Sequence, residues 1–382
     1  MKALLQLLKS IQKKVFLIIT VFLPVSKKRV ILSSYYGKGF GDNPKAIAQA
    51  IHNLNNNIEM IWCLKDLANI NSLPQYMRHC KIGSFKYYFY MNTAAVRIDN
   101  SRSYFPVKKK NQLYIQTWHG FALKRIERDV QESLSKDYVR IAKRDSSQTD
   151  LIISDSRFMT NIYRNSFWYD GLIEEWGAPR NDAIVIQDIN IIDKVRQFYC
   201  IEKDKDIVLY APTFRKNRNT VCYNFDYNKI ISALNDKFGK THVFLIRLHP
   251  LISDKTEEIP FDDKHIINAS DYYDMQELIA SASILISDYS SVMFDFALSF
   301  KPCFMYASDI EEYKLDRNFY FPLNELPFDC ATNETEFIDL INNFSSDMYK
   351  NKLKAFLDEY GLIHDGKASA RCANYILSYL LY

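Results

Sequence analysis

Glycine is scarce in this 382-residue chain, 10 residues against a usual ~7% of composition, which excludes collagen-like and glycine-rich low-complexity architectures. The seven cysteines (Cys63, Cys80, Cys200, Cys222, Cys303, Cys330 and Cys372) are odd in number and widely spaced, and no C-x-x-C pair exists. A zinc ribbon or thioredoxin-like motif is therefore unsupported, and reduced, mostly buried thiols point to the cytoplasm. No G-x-x-x-x-G-K-[ST] loop is present, and Gly37-Lys38-Gly39-Phe40-Gly41 has the wrong spacing for a dinucleotide fingerprint. H-E-x-x-H and G-x-S-x-G are also missing. Asp204 and Asp206 form a D-x-D, but it precedes its strand and reads as a solvated turn. No metal site and no cofactor are expected. Net charge is only +4, too small to imply nucleic-acid binding without a concentrated patch. No internal repeat is found, and the longest apolar run near the amino terminus, 15–25, is broken by Thr20 and Pro24. A spanning helix needs about 20 apolar residues.

What the chain does hold is ample core material: 48% hydrophobic residues, with 26 tyrosines and 25 phenylalanines. Its length suggests two domains or one large α/β unit. In residues 1–28, Leu4, Leu5, Leu7, Leu8 and Ile11 form an apolar stripe at helical spacing. Lys9, Lys13 and Lys14 precede the 15–25 run, and Lys27, Lys28 and Arg29 follow it. An apolar face with basic flanks suits a helix lying in the headgroup region of an anionic membrane surface. The alternative is a helix packed on the protein's own surface. No small-x-small cleavage site supports a secretory signal.

Short apolar runs recur at 30–34, 58–64, 94–98, 113–117, 151–154, 207–211, 243–248, 284–287 and 302–306. Amphipathic stretches lie between them at 44–54, 156–167, 227–238, 274–282 and 291–299. Strands alternating with helices imply parallel sheets covered on both faces. Residues 182–205 are charged and lack a strand pattern, so the expected organisation is a segment 1–28, a first Rossmann-like domain 29–185, and a second 186–382. The last helix, near 368–381, has no strand after it and is expected to pack back across the interface.

In open parallel sheets ligands sit at the carboxyl ends of strands. Four polar clusters follow apolar runs at such ends: Thr117-Trp118-His119-Gly120, Pro212-Thr213-Phe214-Arg215, Arg247-Leu248-His249-Pro250 and Asp288-Tyr289-Ser290-Ser291. Together they argue for a cleft between two sheets. His119 is suited to take a proton near neutrality, and Gly120 permits close approach; a structural histidine bonded to a carbonyl is the bland reading. Arg247 and His249 are two apart, so they share a face if the strand persists, and they suit a phosphate or pyrophosphate, as do the hydroxyl of Thr213 and the guanidinium of Arg215. Ser290 and Ser291 stand where a helix N-cap belongs, a position that serves capping or anion binding. Arg180 lies in the turn Gly177-Ala178-Pro179-Arg180. The basic groups Lys108-Lys109-Lys110, Lys124-Arg125 and Lys143-Arg144 gather in the amino-terminal half and fit a surface facing anionic lipid or a lipid-linked diphosphate.

Read in order, VILSSYYGKGFGDNPKAI (30–47), QTWHGFALKRI (116–126), SDSRFMTNIYRNSFWYDGLIEEWGAPRND (154–182), VLYAPTFRKN (208–217), FLIRLHP (244–250), LISDYSSVMFDFALSFKPCFMYASDIEEY (285–313) and HDGKASARC (364–372) resemble the CDP-glycerol glycerophosphotransferase family, which includes teichoic-acid primases and polymerases of the TagB and TagF type. The resemblance implies a GT-B-like fold: two Rossmann-like doubly wound domains facing a cleft, preceded by the amphipathic helix. It implies transfer of a polyol phosphate from CDP-glycerol, or alternatively CDP-ribitol, to a lipid-linked saccharide or polyol-phosphate acceptor, with release of CMP. The pathway would be teichoic-acid or capsule-type polymer synthesis, at the cytoplasmic face of the membrane. A GT-B nucleotide-sugar glycosyltransferase is a further alternative. By the resemblance His119 is the general base and His249 binds the donor diphosphate. Trp118, Gly120, Arg180, Pro212, Thr213, Arg247, Ser290, Ser291 and Asp295 fall on donor-side motif positions; Arg215 joins them on charge grounds. Phe121-Ala122 stands where the family often has Thr-Pro. A length of 382 residues leaves no room for an additional domain, which favours a primase or short-chain transferase.

Overall fold

The computed structural model describes residues 2–213, 215, 218, 220–249, 252, 255–262, 264–310 and 319–381. The chain divides into two compact units. The first comprises Met1–His119, Glu127–Asp182 and Asp365–Tyr382, and the second Gly120–Ile126 and Ala183–His364.

The first unit is built on seven strands: β1 (Ser26–Ser33), β2 (Glu59–Leu64), β3 (Arg78–Lys81), β4 (Ala94–Asp99), β5 (Leu113–Gln116), β6 (Leu151–Ser154) and β7 (Leu172–Glu175). They pair in parallel in the order β3-β2-β1-β4-β5-β6-β7. Alternation along β1 sends Val30 and Leu32 to one face and Ile31 to the other. Helix Asp42–Leu54 and the carboxyl-terminal helix Ala368–Leu381 cover the first face, burying Ile47, Ile51, Cys372 and Ile376. Helix Phe85–Thr93 covers the second with Tyr88 and Met91.

The last helix, numbered with the second domain but expected to pack back, thus lies in the first unit. The Asp182 carboxylate receives the amides of Ala368 (3.0 Å) and Ser369 (2.8 Å), satisfying donors the helix start leaves open. The chain crosses to the second unit at Asp182/Ala183, three residues before the expected 185/186 division.

The second unit carries β8 (Lys205–Tyr210), β9 (Thr241–Ile246), β10 (Ile266–Asn268), β11 (Ile284–Ser287), β12 (Cys303–Tyr306) and β13 (Asp329–Ala331), all parallel in the order β10-β9-β8-β11-β12-β13. Both sheets are therefore doubly wound, with the strand order reversing beside β1 in one and β8 in the other. Such switch points open crevices for ligands. The segment Gly120–Ile126 joins the second unit through Phe121, whose ring lies 4.4 Å from Phe294 and 5.8 Å from Phe321. The departure at Phe121-Ala122 is thus a buried aromatic anchor.

Helix Lys2–Val21 packs one face on helix Phe85–Thr93. Phe16 meets Phe85 and Tyr88 edge-on, and the Asn92 amide donates to Thr20 Oγ1 at 2.8 Å. Leu8, Ile11, Val15, Ile18 and Phe22, one helical stripe, remain exposed. Among the described residues no helix is long and apolar enough to cross a membrane. No disulfide joins the seven cysteines, and five of them are buried.

Candidate active site

His119 leaves β5 at the carboxyl edge of the first sheet, where β1 and β4 end beside each other. Its Nδ1 lies 2.5 Å from the backbone carbonyl of Asn100, just past β4. A carbonyl only accepts, so Nδ1 carries the hydrogen and Nε2 keeps its lone pair. The ring is stacked on Trp118 (4.3 Å) and met edge-on by Tyr35 (5.5 Å). Burial lowers the His119 pKa below its ordinary value, and the nearby Arg180 cation adds to this; Asp42 pulls the other way. The imidazole is therefore neutral and basic near pH 7.

A buried network fixes this geometry. Tyr35 donates its hydroxyl to Asp42 (2.7 Å) and its amide to the Asn100 side chain (2.8 Å). Arg180 forms a buried ion pair with Asp42 at 3.1 Å. Burial alone would raise Asp42, but Arg180 and the Tyr35 hydroxyl outweigh it and hold the carboxylate low. Asn43 accepts the Arg180 amide (3.0 Å) and donates to the Trp118 carbonyl (3.1 Å), tying the 179–181 turn to the histidine loop. Behind Trp118, the guanidinium of Arg102 lies 5.7 Å from the indole and pairs with Glu127 (2.8 Å) and Asp145 (3.3 Å), all three nearly inaccessible. Tyr35, Tyr36, Asp42, Trp118 and Glu127 all have φ between +46° and +62°. Such strained backbone concentrates where surrounding contacts over-determine a functional geometry.

The other predicted residues gather in the second unit at the carboxyl ends of the adjacent strands β9, β8 and β11. The Arg247 amide bonds the Tyr210 carbonyl (2.9 Å), and the Ala211 amide bonds that of Ile286 (3.1 Å), so the three motifs emerge side by side. Pro212 is buried, and Thr213 donates its amide to Asp288 at 2.8 Å. β9 ends at Ile246, so Arg247 and His249 lie past the strand and share no strand face; Arg247 spends part of its fork on the Tyr272 carbonyl (2.7 Å), and His249 is half-buried. Ser291 caps helix Val292–Ala297 without a side-chain cap bond, and Ser290 Oγ receives the Val292 amide only at 3.4 Å. Both hydroxyls are partly exposed. Asp295 is buried and accepts from Gln276 at 3.4 Å.

Arg215 is held differently from the sequence expectation. It pairs with Asp288 (2.9 Å) and Asp309 (2.5 Å), and its charge is already met inside the unit. Burial disfavours that charge, but the two carboxylates outweigh it and raise the Arg215 pKa. The geometry makes Arg215 a clamp that ties the 213, 288 and 309 loops together. Phe214 and Pro250 lie outside the described residues.

The structure thus brings Trp118, His119 and Arg180 together in the first unit. Thr213, Arg247, His249, Ser290 and Ser291 lie along one sheet edge of the second. Sequence reasoning missed Tyr35, Asp42, Asn43, Asn100 and Arg102. The available signal was positional: Tyr35 and Asn100 stand two residues and one residue past the two strands that flank the switch point. Among the described residues no cluster of histidine, cysteine and acidic side chains is fit to hold a metal.

A family model described as CDP-Glycerol:Poly(glycerophosphate) glycerophosphotransferase matches residues 15–378. A teichoic acid poly(glycerol phosphate) polymerase of Bacillus spizizenii is 31% identical over 93% of this chain and 93% of its own length. One of the same description from Staphylococcus epidermidis is 33% identical over 90% of this chain; the chain spans about half the length of that relative, 50%. A solved structure of the wall teichoic acid polymerase TagF superposes with a TM-score of 0.86 at 30% identity, covering 100% of this chain and 96% of that one.

Proposed function

Because the chain belongs to the CDP-glycerol:poly(glycerophosphate) glycerophosphotransferase family, we propose that it transfers glycerol phosphate from CDP-glycerol to a hydroxyl of a lipid-linked saccharide or polyol-phosphate acceptor and releases CMP. The observation that carries this reading is the 2.5 Å contact of His119 Nδ1 with the Asn100 carbonyl: because a carbonyl only accepts, the hydrogen sits on Nδ1 and the lone pair on Nε2. Nε2 takes the proton of the acceptor hydroxyl as its oxygen attacks the β-phosphorus. The new P–O bond forms as the bond to the CMP oxygen breaks, and CMP departs with the electron pair. Arg247, His249, Thr213, Ser290 and Ser291 supply the donors that hold the diphosphate and the charge growing on the leaving group. Trp118 and Gly120 shape the wall beside the base, and Arg180, with Asp42, orients it. Buried Pro212 and Asp295 support the donor loops. Catalysis of this kind is positioning plus electrostatics.

The reading places the enzyme peripherally at an anionic membrane face, the cytoplasmic one. The exposed stripe Leu8–Ile11–Val15–Ile18–Phe22, with Lys13 and Lys14 beside it, supports this: five apolar side chains on one helix face gain by leaving water. Donor choice is settled by incubating the protein and a synthetic lipid-linked disaccharide with CDP-glycerol or CDP-ribitol and measuring CMP. Faster release from CDP-glycerol is expected; release from CDP-ribitol alone would make the chain a ribitol-phosphate transferase. Release from neither, with turnover of a nucleotide sugar, would make it a glycosyltransferase.

A further inference from the structure

Inside the first unit lies a cavity of about 320 Å³ that the transfer step leaves unused; it is lined by Tyr36 and Asp99, the chain neighbours of the Tyr35 and Asn100 that touch His119. Its floor is apolar, made by Ile31, Cys63 and Met91, and its mouth lies between Tyr36 and Tyr104. Both tyrosines are exposed, 40% and 57%, with ring centroids 5.7 Å apart. The loop that aims Tyr36 is fixed at cost: Tyr36 has φ +59°, and a Cβ on Gly37 would stand 2.7 Å from the Lys65 amide. The same loop presents Tyr35 to His119, so mouth and base are set by one piece of backbone.

The polar wall is unusual. Arg97 is 2% exposed and bonds the Val107 carbonyl (3.0 Å) and the Ser103 hydroxyl (3.4 Å) and lies over the rings of Phe105 and Tyr114; among the described residues no carboxylate forms an ion pair with it, and Asp99 acts on it only through space. Its Nε is buried without a hydrogen-bond partner. A guanidinium so placed is an expensive arrangement unless something completes it. Asp99, two residues along the same strand face, is pushed well above the usual carboxylate range by burial, with Asp145 adding to the effect and the Ser101 amide and Arg97 only partly opposing it. That favours the protonated acid, a hydrogen-bond donor. Lys65 stands exposed at the rim, and Ser33 and Ser103 add hydroxyls.

Donors, an incompletely satisfied buried cation and an aromatic mouth recognise a hydroxylated body that carries a phosphate. A hydrocarbon chain would leave Arg97 and Asp99 desolvated against methylenes. We propose that this cavity is an acceptor subsite, holding a phosphorylated sugar or polyol unit adjacent to the one whose hydroxyl reacts at His119. This rests on the reading of the chain as a glycerophosphotransferase; the phosphate meets Arg97 and Lys65, and the body of the unit lies on the tyrosines.

The test is direct binding, so that it stands apart from turnover. Glucose 1-phosphate and glycerol 3-phosphate are titrated into the protein and into Tyr104→Ala and Lys65→Glu, two exposed positions where folding is not at stake. Farnesyl phosphate serves as the lipid competitor, and binding is followed by saturation-transfer NMR. Saturable binding of either phosphate, weakened about tenfold in both variants and unaltered in His119→Ala, supports the subsite, and the tighter probe tells sugar from polyol. In turnover the same variants should raise the acceptor KM about tenfold while leaving the CDP-glycerol KM in place. No binding, equal binding by all variants, or displacement by farnesyl phosphate at lower concentration than either phosphate overturns the proposal. A wild-type protein that releases no CMP but binds the phosphates in this pattern retires the transferase reading and keeps the cavity as a phosphate-sugar site.

Discussion

The proposed chemistry rests on one imidazole and the carbonyl that orients it. Replacing His119 with alanine removes the proposed base, worth about 10²–10⁴-fold in typical general base catalysis, and should leave the fold intact because the half-buried residue lies in a loop outside the sheet cores. The pH dependence has a defined sign. His119 is held below its ordinary 6.5 by burial, so kcat/KM should stay level through neutrality and fall on an acid limb lying below 6.5. Asp42→Asn should push that limb to still lower pH, since the Asp42 carboxylate favours the imidazolium. The stability sign follows the same shift. Between the two pKa values the unfolded chain holds more protons than the folded one. The His119 contribution is therefore present above the unfolded pKa and lost as pH falls through the folded one. Arg102 makes a second residue-scale case. Arg102→Ala would strand Glu127 and Asp145 in the interior and should destabilise the protein by about 3–5 kcal/mol in urea unfolding, the usual penalty for breaking a buried pair. His119 and Arg180 were legible because each sits in a short motif. Asn100, Tyr35 and Asp42 were not, because what gives them meaning is proximity across 19, 84 and 138 positions of chain, respectively His119–Asn100, Tyr35–His119 and Asp42–Arg180.

At the scale of elements, nine apolar runs correspond to nine strands, two of them to the residue: β6 over 151–154 and β11 over 284–287. The four strands that no apolar run marked are β3, β7, β10 and β13, which are the four sheet edges. An edge strand has one neighbour and more exposed side chains; Arg78–Lys81 buries only Cys80, and Asp329–Ala331 only Ala331. The apolar signature of such strands is weak for the reason that makes them edges. The central strands, buried on both faces, read clearly. Helix Lys2–Val21 carries an element-scale expectation. Ile11→Glu with Ile18→Glu should release the protein from phosphatidylglycerol vesicles in a flotation assay, while turnover of a soluble, short-chain acceptor persists. Gly37→Ala, with φ +78° and backbone in the way, should lower the melting temperature through strain in the loop that carries Tyr35 and Tyr36.

For the whole molecule, the alternation of strand and helix declared two doubly wound units, and the charged 182–205 stretch marked where one gives way to the other. The chain is not, however, cut in two there. Gly120–Ile126 belongs with the second unit and Asp365–Tyr382 with the first, so the polypeptide passes between them more than once. The return of the last helix could be expected because no strand follows it, and Asp182, holding its first amides, gives the docking point; the Gly120–Ile126 excursion carried no such signal. The division of labour proposed for the two units, base on one and donor-binding strand ends on the other, has a direct test. CMP release from CDP-glycerol is measured with and without a lipid-linked acceptor, in the wild-type protein and in His119→Ala. Acceptor-dependent CMP in the wild type, reduced at least about a hundredfold in the variant with an unchanged melting curve, is the expected result. Undiminished CMP release from a folded His119→Ala protein would contradict the account.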